Sequence, residues 1–293
     1  MTQMPDIVCI GAVLWDVIGR ANAHMRMGSD VPGRITRLPG GVAMNIAMAL
    51  HAYGARPAVL TAVGRDVQGR ELLEACERLG VDSRYAYVSE DLPTDQYMAI
   101  EGGNGLIAAI ADAQSLEAAD DKILSPLISG PLMNWTGIIA LDGNLTVQLL
   151  RQIAKNDRFE QTDLRVAPAS PGKAERLSPF LGHSSTTLYV NLEEAGLLLH
   201  STFDTAAEAA VALVDTGLKR ALVTSGPTQA AEATQTGVIA LRPPEVIVTR
   251  ITGAGDTFMA AHIAAEARGA TGETSLQAAV DAAATYVSSE GYG

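Results

Sequence analysis

Thr252-Gly253-Ala254-Gly255-Asp256-Thr257-Phe258 stands where a β-rich run, Glu245 to Thr249, gives way to an alanine-rich stretch of helical character, Phe258 to Ala267. Small residues at such a junction let backbone N–H groups close on an anion, and the start of a helix adds partial positive charge at the same point. Asp256, in the first turn, then faces whatever the anion is joined to. An anion cradle with a carboxylate beside it suits phosphoryl transfer to an alcohol, in which the protein positions the reactants, screens charge and receives a proton.

A glycine-rich turn that merely permits tight packing has the same look, so the reading depends on agreement from other segments. Gly40-Gly41-Val42-Ala43-Met44-Asn45 is followed by a short helical run to Tyr53, by the strand-like Pro57 to Val63, and by Gly64-Arg65-Asp66-Val67-Gln68-Gly69. Asn191-Leu192-Glu193-Glu194 and Thr224-Ser225-Gly226 lie between these turns and the C-terminal cradle. In this order the segments resemble the two signatures, the N-x-x-E motif and the T-x-G element of the PfkB (ribokinase-like) carbohydrate kinases. The likeness runs from Ile7 to about Ser289. It implies an α/β fold, a three-layer α/β/α sandwich with a mostly parallel central sheet and a small β-sheet lid, forming one kinase domain over residues 1–293.

The pattern along the chain agrees. Strands are predicted at Ile7 to Val13, Thr136 to Leu141, Thr187 to Val190, Ala221 to Thr224 and Val246 to Thr249. Helices are predicted at Asn45 to Tyr53, closed by Gly54, and around Leu72, Leu73, Cys76 and Leu79, closed by Gly80. Such alternation implies a mostly parallel sheet covered on both faces, with ligands at the carboxyl ends of its strands. Asp16, Asp142-Gly143-Asn144, Asn191 to Glu194, Thr224 to Gly226 and Thr252 to Asp256 all follow strand-like runs and would gather on that edge. Asn156 to Arg165 reads as a polar linker. Arg20 to Leu38 and Thr94 to Ala111 break the rhythm; the resemblance makes them the lid and the contact of a homodimer.

A chain of 293 residues with 47% hydrophobic and 18% charged residues has the composition of a soluble globular protein. Its formal charge of −12 argues against nucleic-acid or anionic-membrane partners, which require a basic face. The two cysteines, Cys9 and Cys76, lie in apolar runs without metal-ligand spacing and read as buried thiols. No apolar run reaches the ~18 residues of a membrane span, and the N-terminus lacks a basic segment leading into an apolar one, so a cytoplasmic location is expected.

The resemblance assigns roles. Asp256 is the general base, with the helix start keeping its carboxylate ionised, and the amides of Gly253, Ala254 and Gly255, beside Thr252, form the anion hole. A Cβ at position 253 or 255 would crowd it. Asn191 and Glu194 offer the oxygen chemistry that Mg2+ prefers, reached through water; the same N-x-x-E spacing also suits an N-cap at Asn191. Thr224 and Gly226 line the phosphates of ATP, and Ala283 lies by the adenine. Gln229 departs from the family, which often has a glycine there. Substrate contacts fall on Asp16, Gly41 and Asn45, although Asp16 also reads as a turn residue and Asn45 as a helix N-cap.

Three features resemble the pseudouridine kinases within this family. Gly105 to Asp112 matches a G-x-x-x-A-x-x-D-like pattern, Val166 to Leu177 matches a segment whose cation is Lys173, and Arg250 stands where ribokinases carry an aspartate. That missing carboxylate helps hold a monovalent cation in ribokinase-like members, so weak potassium dependence is expected. Asn104, Asp112 and His24 are candidates for contacts to a base. Ribose, fructose, another ribonucleoside or a keto-sugar acid stay open as substrates, as does a nucleoside or nucleotide sensor that has kept the cleft. A dinucleotide-dependent dehydrogenase lacks its fingerprint, since only Gly11 follows the first strand, and the P-loop pattern is absent.

Overall fold

The computed structural model describes residues 3–160 and 162–289. In chain order, β1 (Ile7–Ile10) leads into β2 (Leu14–Arg20) and β3 (Arg34–Gly40), then α1 (Val42–Ala52), β4 (Pro57–Leu60), β5 (Ala62–Gly64) and α2 (Val67–Arg78). Next come β6 (Tyr87–Ser89), β7 (Gln96–Gly102), β8 (Gly105–Asp112), α3 (Gln114–Ala119) and α4 (Ser125–Ile128). The middle of the chain supplies β9 (Ile138–Asp142), α5 (Val147–Lys155), α6 (Asp157–Glu160), β10 (Asp163–Ala167), β11 (Thr186–Asn191), α7 (Leu192–Leu199) and α8 (Ala206–Asp215). It closes with β12 (Arg220–Ser225), β13 (Gln229–Thr234), β14 (Gly237–Leu241), α9 (Ala254–Ala267) and α10 (Glu273–Ser288).

Eight strands form the main sheet in the order β14-β13-β12-β11-β10-β9-β1-β4. Pairing is parallel from β4 to β12 and antiparallel for β13 and β14. Its inner strands are apolar on both faces, as burial between two helical layers requires. Val8, Ile10, Ile139 and Leu141 point to a core shared with α3 to α8, whereas Ile7, Cys9 and Ala140 join α1, α2, α9 and α10. Side-chain caps from Asp66, Thr146, Asn191 and Thr205 start α2, α5, α7 and α8, each contributing roughly 1 kcal/mol.

A second, four-stranded sheet has the order β3-β2-β7-β8. It begins earlier than expected: β1 stops at Ile10, and Leu14 to Arg20 already belong to this sheet, so Asp16 is one of its residues. Pro57 to Val63 likewise divides, with β5 leaving the main sheet to pair with β6.

Two predicted elements are corrected. Val246 to Thr249 forms no strand and joins none of the three sheets. Pro243 and Pro244 follow β14 and lack the N–H groups that a ladder needs, and Thr249 instead bonds the Val287 and Ser289 carbonyls at the end of α10. The expected linker Asn156 to Arg165 holds α6 and the start of a central strand, β10. Its last charge is an interior one: Arg165 reaches Asp163, Glu266 and the Tyr189 hydroxyl, and Arg220 of β12 joins the cluster through Glu232 and Glu266. Burial alone would raise the Glu266 pKa, but these guanidinium groups hold it at about 2. The cluster ties α9 to β10, β12 and β13.

Candidate active site

Asp142 to Asn144, Asn191 to Glu194 and Thr224 to Gly226 lie at carboxyl ends of main-sheet strands, and Gly40 to Asn45 and Thr252 to Asp256 at the starts of α1 and α9. The cradle opens α9. Gly253, its N-cap, has φ 88°, and a Cβ there would come within 2.4 Å of the Tyr286 hydroxyl. That hydroxyl donates to the Thr252 carbonyl at 2.9 Å. A Cβ at Gly255 meets no protein atom within 4 Å, so crowding at that position would fall on a ligand and not on the protein. First-turn amides have no intrahelical acceptor. The Ala254 amide donates to the Ile251 carbonyl (3.1 Å), which leaves those of Gly253 and Gly255 for an anion.

Arg250 secures the approach to this turn. Its guanidinium lies 3.6 Å from the Tyr286 ring centroid, and it donates to the Tyr286 carbonyl (3.0 Å) and the Ser289 hydroxyl (2.8 Å). A positive group therefore stands where the ribokinase pattern has a carboxylate.

Asp256 Oδ2 accepts a hydrogen bond from Asn45 Nδ2 at 2.9 Å, joining α9 to α1. The expectation that the helix start keeps this carboxylate ionised is corrected. Burial pushes its pKa up to about 7, helped by the negative fields of Asp142 and Glu194, while the Asn45 bond pulls the other way. A helix terminus stabilises an anion by about 1 kcal/mol, which desolvation readily exceeds. Asn45 is not an N-cap either: α1 starts at Val42 with Gly41 as its cap, and the Asn45 amide already bonds the Gly41 carbonyl (2.8 Å).

Gly40 ends β3 and Gly41 caps α1, at the turn from the second sheet into that helix. At Gly40 a Cβ would overlap the Asp16 carboxylate, 2.0 Å from Oδ2, and at Gly41 (φ 93°) it would approach the Ala12 carbonyl at 2.4 Å. Their lack of side chains lets Asp16 lie over the chain. Desolvation raises the Asp16 pKa to about 6. Asp112 ends β8 opposite Gln96, and among the described residues its hydrogen bond is to the Gln114 amide (3.3 Å). It is not bonded to Asp16 or Lys173.

Asp142, fully buried at the end of β9, accepts from the Ala12 amide (2.8 Å) and from the Asn144 amide and side chain (2.8 and 3.1 Å). Lys173 Nζ donates to Asn144 Oδ1 at 2.6 Å, and burial together with nearby Arg176 lowers its pKa. Asn191 and Glu194 form a reciprocal capping box, each side chain bonding the other's amide at 2.8 Å. Asn191 pairs across the sheet with Thr224, and Gly226 follows at φ 48°. Gln229 opens β13 opposite Ser225, and its side chain accepts from the Ala207 amide (3.0 Å), so this departure from the family anchors the start of α8. Ala283 is half-buried on α10.

The carboxyls of Asp16, Asp142, Glu194 and Asp256 all have raised pKa values, with burial the leading cause for each. Around Asp256 the negative fields of Asp142 and Glu194 add to the effect of burial. Among the described residues no three His, Cys, Asp or Glu side chains form a metal-holding group by themselves. Sequence reasoning named the Asp142 turn without a role; an acid directly after the apolar run Ile138 to Leu141 was its available signal. No helix among the described residues is long and apolar enough to cross a membrane.

An open helix start beside a half-buried carboxylate of pKa about 7 can hold an anion and take up a proton from an alcohol. Comparison with known proteins agrees. Residues 4–293 match the pfkB family carbohydrate kinase. A pseudouridine kinase of Escherichia coli strain K12 is 27% identical over 265 residues, 89% of this chain and 83% of that protein. Among solved structures, a carbohydrate kinase from Agrobacterium tumefaciens superposes with a TM-score of 0.84 at 27% identity, covering 98% of this chain and 92% of its own. A ribokinase of Arabidopsis thaliana, solved with ribose and ATP, gives 0.76 at 21% identity over 99% of this chain and 94% of its own. The chain belongs to the pfkB family of carbohydrate kinases, with a ribokinase-like fold and phosphoryl transfer to an alcohol as its chemistry.

Proposed function

We propose that this kinase phosphorylates the 5′-hydroxyl of pseudouridine, using ATP. The observation that carries the reading is Lys173, held by Asn144 beside the buried Asp142, in the segment that resembles the pseudouridine kinases. The likeness to the Escherichia coli pseudouridine kinase supports it. Arg250, stapled to Tyr286, is the second support, because it replaces an acid of the ribokinase pattern.

Asp256 accepts the substrate proton, and Asn45 holds its carboxylate in place. The amides of Gly253 and Gly255 stabilise charge developing on the transferred group. The open space at Gly255 fits a phosphate. Glu194, with one oxygen in the capping box, keeps the other for a water shell around Mg2+, which would screen the phosphate charge. Asn191, Thr224, Gly226 and Thr252 flank the nucleotide phosphates, and Ala283 lies by its adenine. Asp16 and Gly41 bind the sugar hydroxyls.

On this reading the chain is one kinase unit, and the sheet of β2, β3, β7 and β8 is a lid that excludes water from the transferred group. Its exposed apolar residues Ile35, Met98, Ile100 and Ile110 support a homodimer through that sheet. The free buried thiols Cys9 and Cys76 suit the cytoplasm. Potassium should change turnover less than about two-fold, because Arg250 would repel a monovalent cation.

Specificity constants for pseudouridine, uridine, ribose, fructose and 2-keto-3-deoxygluconate test the assignment. Pseudouridine should lead by at least about ten-fold, the worth of one buried polar contact. Preference for ribose or a keto-sugar acid would return the chain to the other sugar kinases of the family and remove substrate roles from Asp112 and Lys173.

A further inference from the structure

The first turns of α2 lie outside the cradle, yet side chains from two strands of the second sheet, and from the segment that leads into a third, converge on them. Trp15 of β2 donates its indole N–H to the Gln68 carbonyl at 3.0 Å. The guanidinium of Arg37, on β3, stacks 4.1 Å from the Trp15 ring centroid and pairs with Glu71 of α2. Beside them Asp66, the cap of α2, accepts from the Thr94 hydroxyl (2.7 Å) and amide (2.8 Å) just before β7. The Thr94 hydroxyl also accepts from the Gly64 amide at 3.1 Å.

These contacts differ in kind. The Asp66–Thr94 bonds are internal and tie the root of β7 to the main body. Arg37 and Glu71 are 41% and 45% exposed, so water competes for both and the pair is readily broken and remade. An exposed ion pair with one cation–π contact changes an equilibrium by roughly three- to ten-fold, enough to set an angle without locking it. Asp16 adjoins Trp15 on β2 and lies opposite Leu38, next to Arg37, so the angle that this latch sets is the angle at which Asp16 meets the cleft.

We infer that Arg37 and Glu71 are positioning residues: by clasping Trp15 against α2 they hold the second sheet where Asp16 can receive the alcohol substrate. The inference rests on reading that sheet as the lid. The pair acts on acceptor binding and water exclusion, and leaves the chemical step to Asp256.

The test compares the full-length enzyme with Glu71→Gln and with the charge swap Arg37→Glu/Glu71→Arg, using the preferred acceptor. Trp15 emission is followed against a Trp15→Phe blank. In the wild type, acceptor should shift Trp15 emission. Glu71→Gln should raise KM for the acceptor three- to ten-fold, leave kcat within two-fold, increase acceptor-independent ATP hydrolysis and shift Trp15 emission to the red in the free enzyme. The swap should recover at least half of the KM change. Acceptor-dependent emission with KM and hydrolysis unchanged in Glu71→Gln would overturn the latch while sparing the lid. Wild-type emission that ignores a bound acceptor would overturn the lid reading, and the latch with it.

Discussion

Helix α9 and the four-stranded sheet are held in opposite ways: the body of one is packed into the interior, and the other leaves nearly a whole strand exposed. Residues Phe258 to Ala265 of α9 are all buried, and below them Glu266 is held by two arginines from the main sheet. Along β8, every residue from Gly105 to Ala111 is exposed. On the function proposed above, the chemistry would be mounted on the rigid wall, and substrate capture on the more exposed one.

The largest effect should come from the rigid side. Asp256→Asn is expected to lower kcat by about a thousand-fold, in the range of a general base. Its melting temperature should not fall. Burial raises the folded-state pKa of Asp256 above its unfolded value, so the ionised carboxylate weakens the fold at neutral and higher pH, and an amide relieves that. A melting temperature that dropped together with kcat would make Asp256 a structural residue.

Gly253→Ala comes next. The left-handed backbone costs a non-glycine residue about 1–2 kcal/mol, and the new Cβ meets the Tyr286 hydroxyl. Both stability and turnover should fall, with Tyr286→Phe giving partial recovery, whereas Gly255→Ala should cost turnover with little loss of stability. Equal destabilisation by the two alanines in a thermal melt would contradict the open space in front of the helix.

The pH profile sharpens the contrast. A base must be deprotonated to act, so kcat should fall ten-fold per unit as pH drops below about 7, the Asp256 value. KM for the acceptor should rise only below about pH 6, where Asp16 gains its proton. Coincident transitions would assign both to one group.

The smallest effect on chemistry should come from the outer face of the second sheet. Met98→Glu with Ile110→Glu, an adjacent pair across β7 and β8, should shift a dimer to monomer in sedimentation while leaving kcat within about three-fold. An unchanged sedimentation coefficient would remove this face as the contact.

The same contrast governs what could be read from the chain. The cradle was legible because its signal is local: small residues, an acid and a helix start within a few positions. The Asn191–Glu194 capping box was legible for the same reason. The Asn45–Asp256 bond spans 211 positions and leaves no local trace. The start of β10 reads as a linker because Asp163 and Arg165 look like solvent residues until Glu266, 101 positions from Arg165, comes to meet that guanidinium. Val246 to Thr249 carries strand-forming residues but has no neighbour to pair with. Asp16 reads as following a strand, whereas Gly11 to Val13 divide the apolar run and put it inside the second sheet. Periodicity identified elements; long-range partners decided where they went.

Acceptor-dependent ADP release is the most direct measurement of the central claim. With Mg-ATP and the panel of nucleosides and sugars, the wild-type enzyme should release ADP only when a suitable alcohol is present, fastest with pseudouridine, and the Asp256→Asn enzyme should release almost none. Release at one rate with and without every acceptor, or a variant as active as the wild type, would contradict phosphoryl transfer to an alcohol with Asp256 as its base.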